Sequence, residues 1–225
     1  MDLEIKPDQL KVLPHHQYVT TDGISPSTVA PSPIDQFRIW FKEAVEGGVV
    51  KEPEAVALST ATPDGIPSAR MVLFKKLDPR GFVFFTNYTS RKSEEMLANP
   101  HASLVFYWKE VHRSVRVIGQ VEKVSREESE EYFKTRPYGS QIGAWASKQS
   151  TVVQEGELQG RVGELEEKFG ADVPTPEFWG GWRVVPTEVE FWIGKPSRLH
   201  DRVRYLRVET TRDDQPQWKI ERLAP

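Results

Sequence analysis

The chain has 225 residues, 38% of them hydrophobic and 28% charged, with a net charge of −3 and no cysteine. That length can bury a full core as one large domain or two small ones. The mild negative charge argues against a dedicated nucleic-acid binder, and the lack of cysteine excludes disulfides, thiolate catalysis and cysteine-ligated metals. No apolar run is long enough to span a bilayer. The opening Met1-Asp2-Leu3-Glu4-Ile5-Lys6 lacks the basic start and apolar core of a secretory signal, and its early acids are unlike a transit peptide. A cytoplasmic protein with no membrane contact is expected.

Residues 1–32 scatter Pro, Ser, Thr and His without sustained periodicity and read as a mobile arm. Order is expected from Ser32-Pro33, a cap followed by proline at the first helical position. Ile34, Phe37, Trp40, Phe41, Ala44 and Val45 mark one face of that helix, and Gly47-Gly48 stops it. Ala55–Thr60, the turn Pro63-Asp64-Gly65 and Ser68–Lys75 predict a hairpin. Gly81–Thr86 is a third strand, followed by a helix over 93–98 that Asn99-Pro100 ends. Ala102–Trp108 and Arg113–Val124 read as an antiparallel pair. Helices follow at Arg126–Thr135, around Gln141–Ala146 and at Glu157–Phe169. The last strands are Thr187–Ile193, Arg204–Glu209 and Gln217–Arg222, with Arg212-Asp213-Asp214-Gln215-Pro216 as the final turn. Short strands joined by tight turns favour an antiparallel barrel or sandwich. Neither a Rossmann nor a P-loop fingerprint is present.

Four groups carry possible chemistry. Ser90 reads as a helix cap, yet Arg91 and Lys92 open the first turn, where free backbone N–H groups favour acids. An anion held between the side chains and the N–H groups explains this, a phosphate being the usual guest; two solvated surface cations are the alternative. Ser125-Arg126-Glu127-Glu128 is an ordinary capping box and serves as the internal control. Tyr132 and Arg136, at i, i+4 spacing with Ser140 beyond Pro137, suit a phosphate clamp, or an ordinary aromatic–arginine surface pair. Arg198-Leu199-His200-Asp201-Arg202 fits an anionic or electron-rich ligand, or an exposed charged turn. In Val189–Ile193, alternation puts Glu190 and Trp192 on one face, where a Trp covers a ligand or partner or fills a second core. The pair His15-His16 has poor geometry for a shared metal, and no metal site is expected.

Several motifs in order resemble the pyridoxamine 5′-phosphate oxidases: Arg70–Lys75, Thr86-Asn87 with Ser90-Arg91-Lys92, Ser140–Trp145, Ser147–Ser150, Phe178–Gly181, Arg198–Arg202 and Arg222–Pro225. The resemblance spans residues 33–225. It implies a mainly β, antiparallel, FMN-binding split β-barrel with peripheral helices, acting as a single domain over 33–225 whose C-terminal part serves dimerisation and the active site. It further implies a homodimer with FMN at the subunit interface. Pyridoxamine or pyridoxine 5′-phosphate, both phosphorylated B6 vitamers, would be oxidised to pyridoxal 5′-phosphate by formal hydride transfer to the flavin. O2 would be the final acceptor and H2O2 a product.

By the same resemblance Arg70, Met71, Val72, Leu73, Phe74, Lys75, Phe85, Thr86, Arg91, Lys92, Ser114, Gln149, Ser150, Trp192 and Arg202 would hold FMN. Lys75, Tyr132, Arg136 and Ser140 would hold the substrate phosphate, Tyr18 would close over the substrate, and Arg198 and His200 would face its ring as the catalytic residues. Strict alternation puts Arg70 and Lys75 on opposite faces of one strand, a conflict that a bulge would resolve. Ser114 stands where the family usually has glutamine, and His15-His16-Gln17 stands where an arginine-containing stretch precedes the tyrosine. Another split-barrel flavin oxidoreductase, or a non-catalytic carrier of a phosphorylated vitamin, is the alternative function.

Overall fold

The computed structural model describes the backbone of residues 2–6 and 9–13, and residues 17–208 and 216–225 in full. The pair His15-His16, and the predicted last turn up to Gln215, lie outside the described residues. The chain divides into two compact units. The first comprises residues 1–51, 107–115 and 190–225; the second comprises 52–106 and 116–189.

The second unit is built on strands β3 (Ala55–Ala61), β4 (Pro67–Asp78) and β5 (Gly81–Asn87) and on the greater parts of β6 (His101–Trp108), β7 (Arg113–Lys123) and β8 (Trp179–Ile193), of which residues 107–108, 113–115 and 190–193 fall in the first. Their order is β8-β5-β4-β3-β6-β7, and β7 pairs again with β8, which closes a barrel. The β3–β4, β3–β6, β4–β5 and β5–β8 ladders are antiparallel. Helices α2 (Arg91–Ala98), α3 (Arg126–Thr135), α4 (Tyr138–Ala146) and α5 (Glu157–Phe169) are peripheral. The expected split β-barrel is therefore present. Its interior is aromatic. Phe74, Phe82 and Phe106 are buried, with ring centroids 5.6–6.2 Å apart. Each such side chain contributes about 1.5–3 kcal/mol through burial.

Two local features position the site. The β4–β5 register runs Phe74↔Phe84 and then Lys76↔Val83, so Lys75 is the extra residue of a bulge. The bulge reorients the strand after Phe74 and removes the alternation conflict between Arg70 and Lys75. Strand β8 begins at Trp179, eight residues before the expected Thr187. Gly180, Gly181 and Pro186 look like strand breakers in the sequence, but the two glycines mark a close approach. A Cβ at Gly180 would lie 2.3 Å from the Tyr88 hydroxyl oxygen, and one at Gly181 would lie 2.5 Å from Val124 Cγ2. The Gly181 carbonyl accepts from the Val124 N–H and the Tyr88 hydroxyl.

In the first unit, helix α1 (Pro33–Glu46) starts as expected, with the Ser32 hydroxyl accepting from the Ile34 N–H at 3.2 Å. Ile34, Phe37, Trp40 and Ala44 are buried. Val45 is 50% exposed, because its angular position is about a quarter turn from the centre of that stripe. Strands β9 (Asp201–Val208) and β10 (Gln217–Arg222) pair antiparallel. Trp40, Phe191 and Tyr205 pack with centroids 5.1 and 5.6 Å apart, and the Tyr205 hydroxyl donates to the Ala30 carbonyl at 2.6 Å. Strands β1 (Asp2–Lys6) and β2 (Gln9–Leu13) pair antiparallel within the arm, where the sequence reading expects no regular element. Leu3/Ile5 and Leu10/Val12 alternate with polar residues there, a pattern too short to stand out.

Candidate active site

The second unit holds a cavity of about 780 Å³, within the usual range for small-molecule sites. Its wall comes from Ser68–Leu73 and Lys75 of β4, Phe85 and Thr86 of β5, and Arg91 and Lys92 of α2. Tyr132, Thr135–Pro137, Ser140, Gln149, Ser150 and Trp179 complete it. Arg70, Lys75, Arg91, Lys92 and Arg136 line this cavity and, among the described residues, no carboxylate does, which makes it a site for anions.

The start of α2 behaves unlike an ordinary cap. Ser90 occupies the cap position, but its hydroxyl donates to the Asn87 carbonyl at 2.8 Å and caps nothing. Lys92 is only 7% exposed, so it is not a solvated surface cation. Its ammonium donates to Gln149 Oε1 at 2.8 Å and to Thr86 Oγ1 and Ser90 Oγ at 3.2 Å. These are neutral oxygens, and among the described residues no carboxylate pairs with it. Burial, reinforced by the Arg70 charge, pushes the Lys92 pKa down to about 8. A buried ammonium without a counter-charge is costly. Beside the free N–H groups of a helix start, an anion would relieve that cost. Arg91 is the more exposed of the pair, and its backbone N–H donates to Ser150 Oγ at 3.3 Å.

Tyr132 and Arg136 both line the cavity, though not as i, i+4 partners on one helix. Helix α3 ends at Thr135, and Arg136 follows with an extended ψ of 146°. The carbonyl of Arg136 is fixed by the Gln141 side-chain amide at 2.9 Å. Its guanidinium lies over Trp179 at 4.9 Å, and its Nη1 is buried with no hydrogen-bond partner among the described residues. Burial lowers the Arg136 pKa, and Tyr132 opposes that shift. Phe85 stacks on Tyr132 at 4.0 Å and on Trp179 at 5.6 Å. A buried, unpartnered arginine donor in a cavity that Tyr132 and Ser140 also line is chemically suited to a phosphate.

Of the residues expected on β4, Phe74 does not line the cavity. It points into the barrel core, on the opposite side of the strand from Leu73. Tyr18, Ser114, Trp192, Arg198, His200 and Arg202 belong to the first unit. There the Tyr18 ring meets Trp192 at 5.4 Å and His200 at 5.6 Å, and Trp192 and His200 lie 4.7 Å apart. The Lys195 N–H donates to His200 Nδ1 at 3.0 Å, which puts the ring proton of the neutral form on Nε2. Burial and the charges of Arg198 and Arg202 lower the His200 pKa. Arg198 has φ +61°, a conformation that costs a non-glycine residue about 1–3 kcal/mol. Arg202 is a strand residue, bonded to Glu190 at 2.7 Å and to the Ala224 carbonyl at 2.8 Å. Ser114 is half-buried on β7.

Trp179 and Ser68 were not singled out as site residues by sequence. Trp179 sits inside the Phe178–Gly181 motif, which signals it. Nothing in the sequence marks Ser68. Among the described residues no group of three or more acids or histidines is placed to hold a metal, and no helix is long and apolar enough to cross a membrane.

A closed antiparallel barrel with helices around it and an anion-seeking cavity on its wall places the fold in the split-barrel class. Residues 35–168 match the family model for pyridoxamine 5′-phosphate oxidase, and residues 179–225 match the pyridoxine 5′-phosphate oxidase C-terminal dimerisation region. The chain belongs to the pyridoxine/pyridoxamine 5′-phosphate oxidase family. A pyridoxine/pyridoxamine 5′-phosphate oxidase of Nostoc punctiforme is 51% identical over 92% of this chain and 94% of its own. That of Bordetella petrii is 52% identical over 88% and 91%. Among solved structures, PhzG from Burkholderia lata, in complex with tetrahydrophenazine-1-carboxylic acid, superposes with a TM-score of 0.82. It is 33% identical, over 89% of this chain and 96% of that one.

Proposed function

We propose that the protein is an FMN-dependent oxidase that converts pyridoxamine or pyridoxine 5′-phosphate to pyridoxal 5′-phosphate. With the amine, O2 and water would be consumed and ammonia and H2O2 released. The observation that carries this reading is the presence of two separate phosphate-seeking groups in one cavity. One is the buried, unneutralised Lys92 at the start of α2; the other is Arg136, with a buried donor left unpaired. A flavin phosphate and a vitamer phosphate would satisfy one each.

Flavin, when bound, would supply the two-electron acceptor that O2 reoxidises. Arg70–Leu73, Lys75, Phe85, Thr86, Arg91, Lys92, Gln149 and Ser150 would hold it. Lys75, Tyr132, Arg136 and Ser140 would grip the vitamer phosphate. The family resemblance assigns Tyr18, Arg198 and His200 to the substrate and Ser114, Trp192 and Arg202 to the flavin, and we carry those roles over. Since His200 Nδ1 already accepts from Lys195, its free Nε2–H would act as a donor that orients the substrate. Arg198 would stabilise charge. Met71 and Leu73 are 64% and 47% exposed, and a second copy of the chain would cover them in a homodimer. The match to a dimerisation region supports that assembly.

The purified protein should be yellow. Heat should release FMN, identified by chromatography against FAD and riboflavin standards. Release of FAD, or failure of the flavin-free protein to take up FMN, would overturn the reading.

A further inference from the structure

We propose that Glu95 is the positioning residue of the flavin-phosphate grip. Its carboxylate ties Arg70 and Arg91 together, and so makes the site select a phosphorylated flavin over an unphosphorylated one. This role rests on the flavin reading above. Glu95 lies one turn after Arg91 on α2, is 5% exposed and stands behind the cavity wall rather than in it. Its Oε1 accepts from Arg91 Nε at 2.8 Å. Its Oε2 accepts from Ser68 Oγ at 2.6 Å, from the Thr60 hydroxyl, and from Arg70 Nη2 at 3.4 Å. The Thr60 and Ser68 hydroxyls in turn accept from the Arg70 guanidinium. One carboxylate thus anchors two cavity-lining arginines, one directly and one both directly and through two hydroxyls.

The electrostatics agree with that geometry. Burial alone would raise the Glu95 pKa. Hydrogen bonds from Ser68, Thr60 and Arg91, with the Arg70 charge, outweigh it and bring the pKa down to about 2. The carboxylate is therefore ionised across the working range. Arg70, Arg91 and Lys92 with Glu95 carry a net charge of about +2, which opposes the roughly −1.5 to −2 of a phosphate monoester at neutral pH. A pair of guanidiniums fixed by a common partner meets an anion with less loss of rotamer freedom than two free side chains. Lys92 lacks such a partner and takes its counter-charge from the ligand.

The test measures binding of FMN and of riboflavin to the flavin-free full-length protein, by quenching of flavin fluorescence. Glu95→Gln keeps the shape and an acceptor for the two hydroxyls but removes the charge. FMN affinity should fall about ten- to hundredfold, with riboflavin affinity changed less than about twofold. Thr60→Val, which removes one hydroxyl of the relay, should lower FMN affinity by a smaller factor, again with riboflavin spared; it carries the test if Glu95→Gln fails to fold. Equal losses for both ligands would mean that Glu95 only supports the fold. An unchanged or tighter FMN affinity would mean that it does not position the arginines. Either result overturns the proposal. Wild-type protein that binds no FMN would overturn the flavin reading itself, and this role with it.

Discussion

Arg136→Ala is expected to lower kcat/KM for pyridoxamine 5′-phosphate by about one to two powers of ten. Arg136 offers a buried Nη1 with no hydrogen-bond partner among the described residues, on a guanidinium held over Trp179. A hydrogen bond to a charged group contributes about 1.5–3 kcal/mol, and each 1.4 kcal/mol is a factor of ten. The phosphate is remote from the reacting carbon and is held alike in ground and transition states, so the loss should fall on KM. Flavin content should remain near that of wild type, because Lys92 and its neighbours hold the other phosphate. Steady-state kinetics and flavin occupancy, measured together, check this. An unchanged KM, or loss of FMN with substrate affinity intact, would mean that the two phosphate groups are assigned the wrong way round.

Lys92→Met should weaken FMN binding by about ten- to hundredfold and should also remove a pH dependence. In the flavin-free protein the Lys92 pKa is about 8, and a bound phosphate would raise it. Wild-type affinity should therefore be complete below about pH 8, down to the phosphate's own ionisation near ~6. It should fall as the pH rises above 8, where the free protein loses the proton that the complex keeps. The methionine variant should show no such fall. The sign for folding is opposite. A lysine whose folded pKa is depressed leaves the unfolded chain binding more protons between about 8 and 10.5, so flavin-free stability should rise with pH across that window. The variant should accordingly melt no lower than wild type at neutral pH. Fluorescence titrations from pH 6.5 to 9.5, with melting curves alongside, test both signs. An FMN affinity that is flat in wild type above pH 8 would contradict this account of Lys92.

Much of this was legible in the sequence. Arg91-Lys92 broke the charge rule of helix starts, and the structure shows one of the two buried without a counter-ion. The Arg126–Thr135 and Glu157–Phe169 helices have the boundaries expected from the sequence. Other features depended on tertiary contacts that a one-dimensional pattern does not carry. Gly180 and Gly181 read as breakers because the side chains that exclude a Cβ there, Tyr88 and Val124, are distant in sequence. Phe74 shares a motif with its cavity-lining neighbours but is buried against Phe82 and Phe106 in the barrel core, contacts that a local motif does not carry. Tyr132 and Arg136 meet in the cavity although the helix ends between them. Glu95 was readable only as an acid one turn beyond Arg91; its relay through Thr60 and Ser68 needed the barrel to bring β3 and β4 beside α2.

The most direct test of the whole account is oxygen uptake by the FMN-loaded protein with pyridoxamine 5′-phosphate, run beside unphosphorylated pyridoxamine. The account predicts consumption of one O2 for each aldehyde formed, with ammonia and H2O2 released, and a much weaker response to the unphosphorylated amine. Tight binding of pyridoxamine 5′-phosphate without turnover would make the protein a carrier. FMN-loaded protein that neither binds nor oxidises this substrate would make it a flavin enzyme of another specificity, and either result would contradict the account.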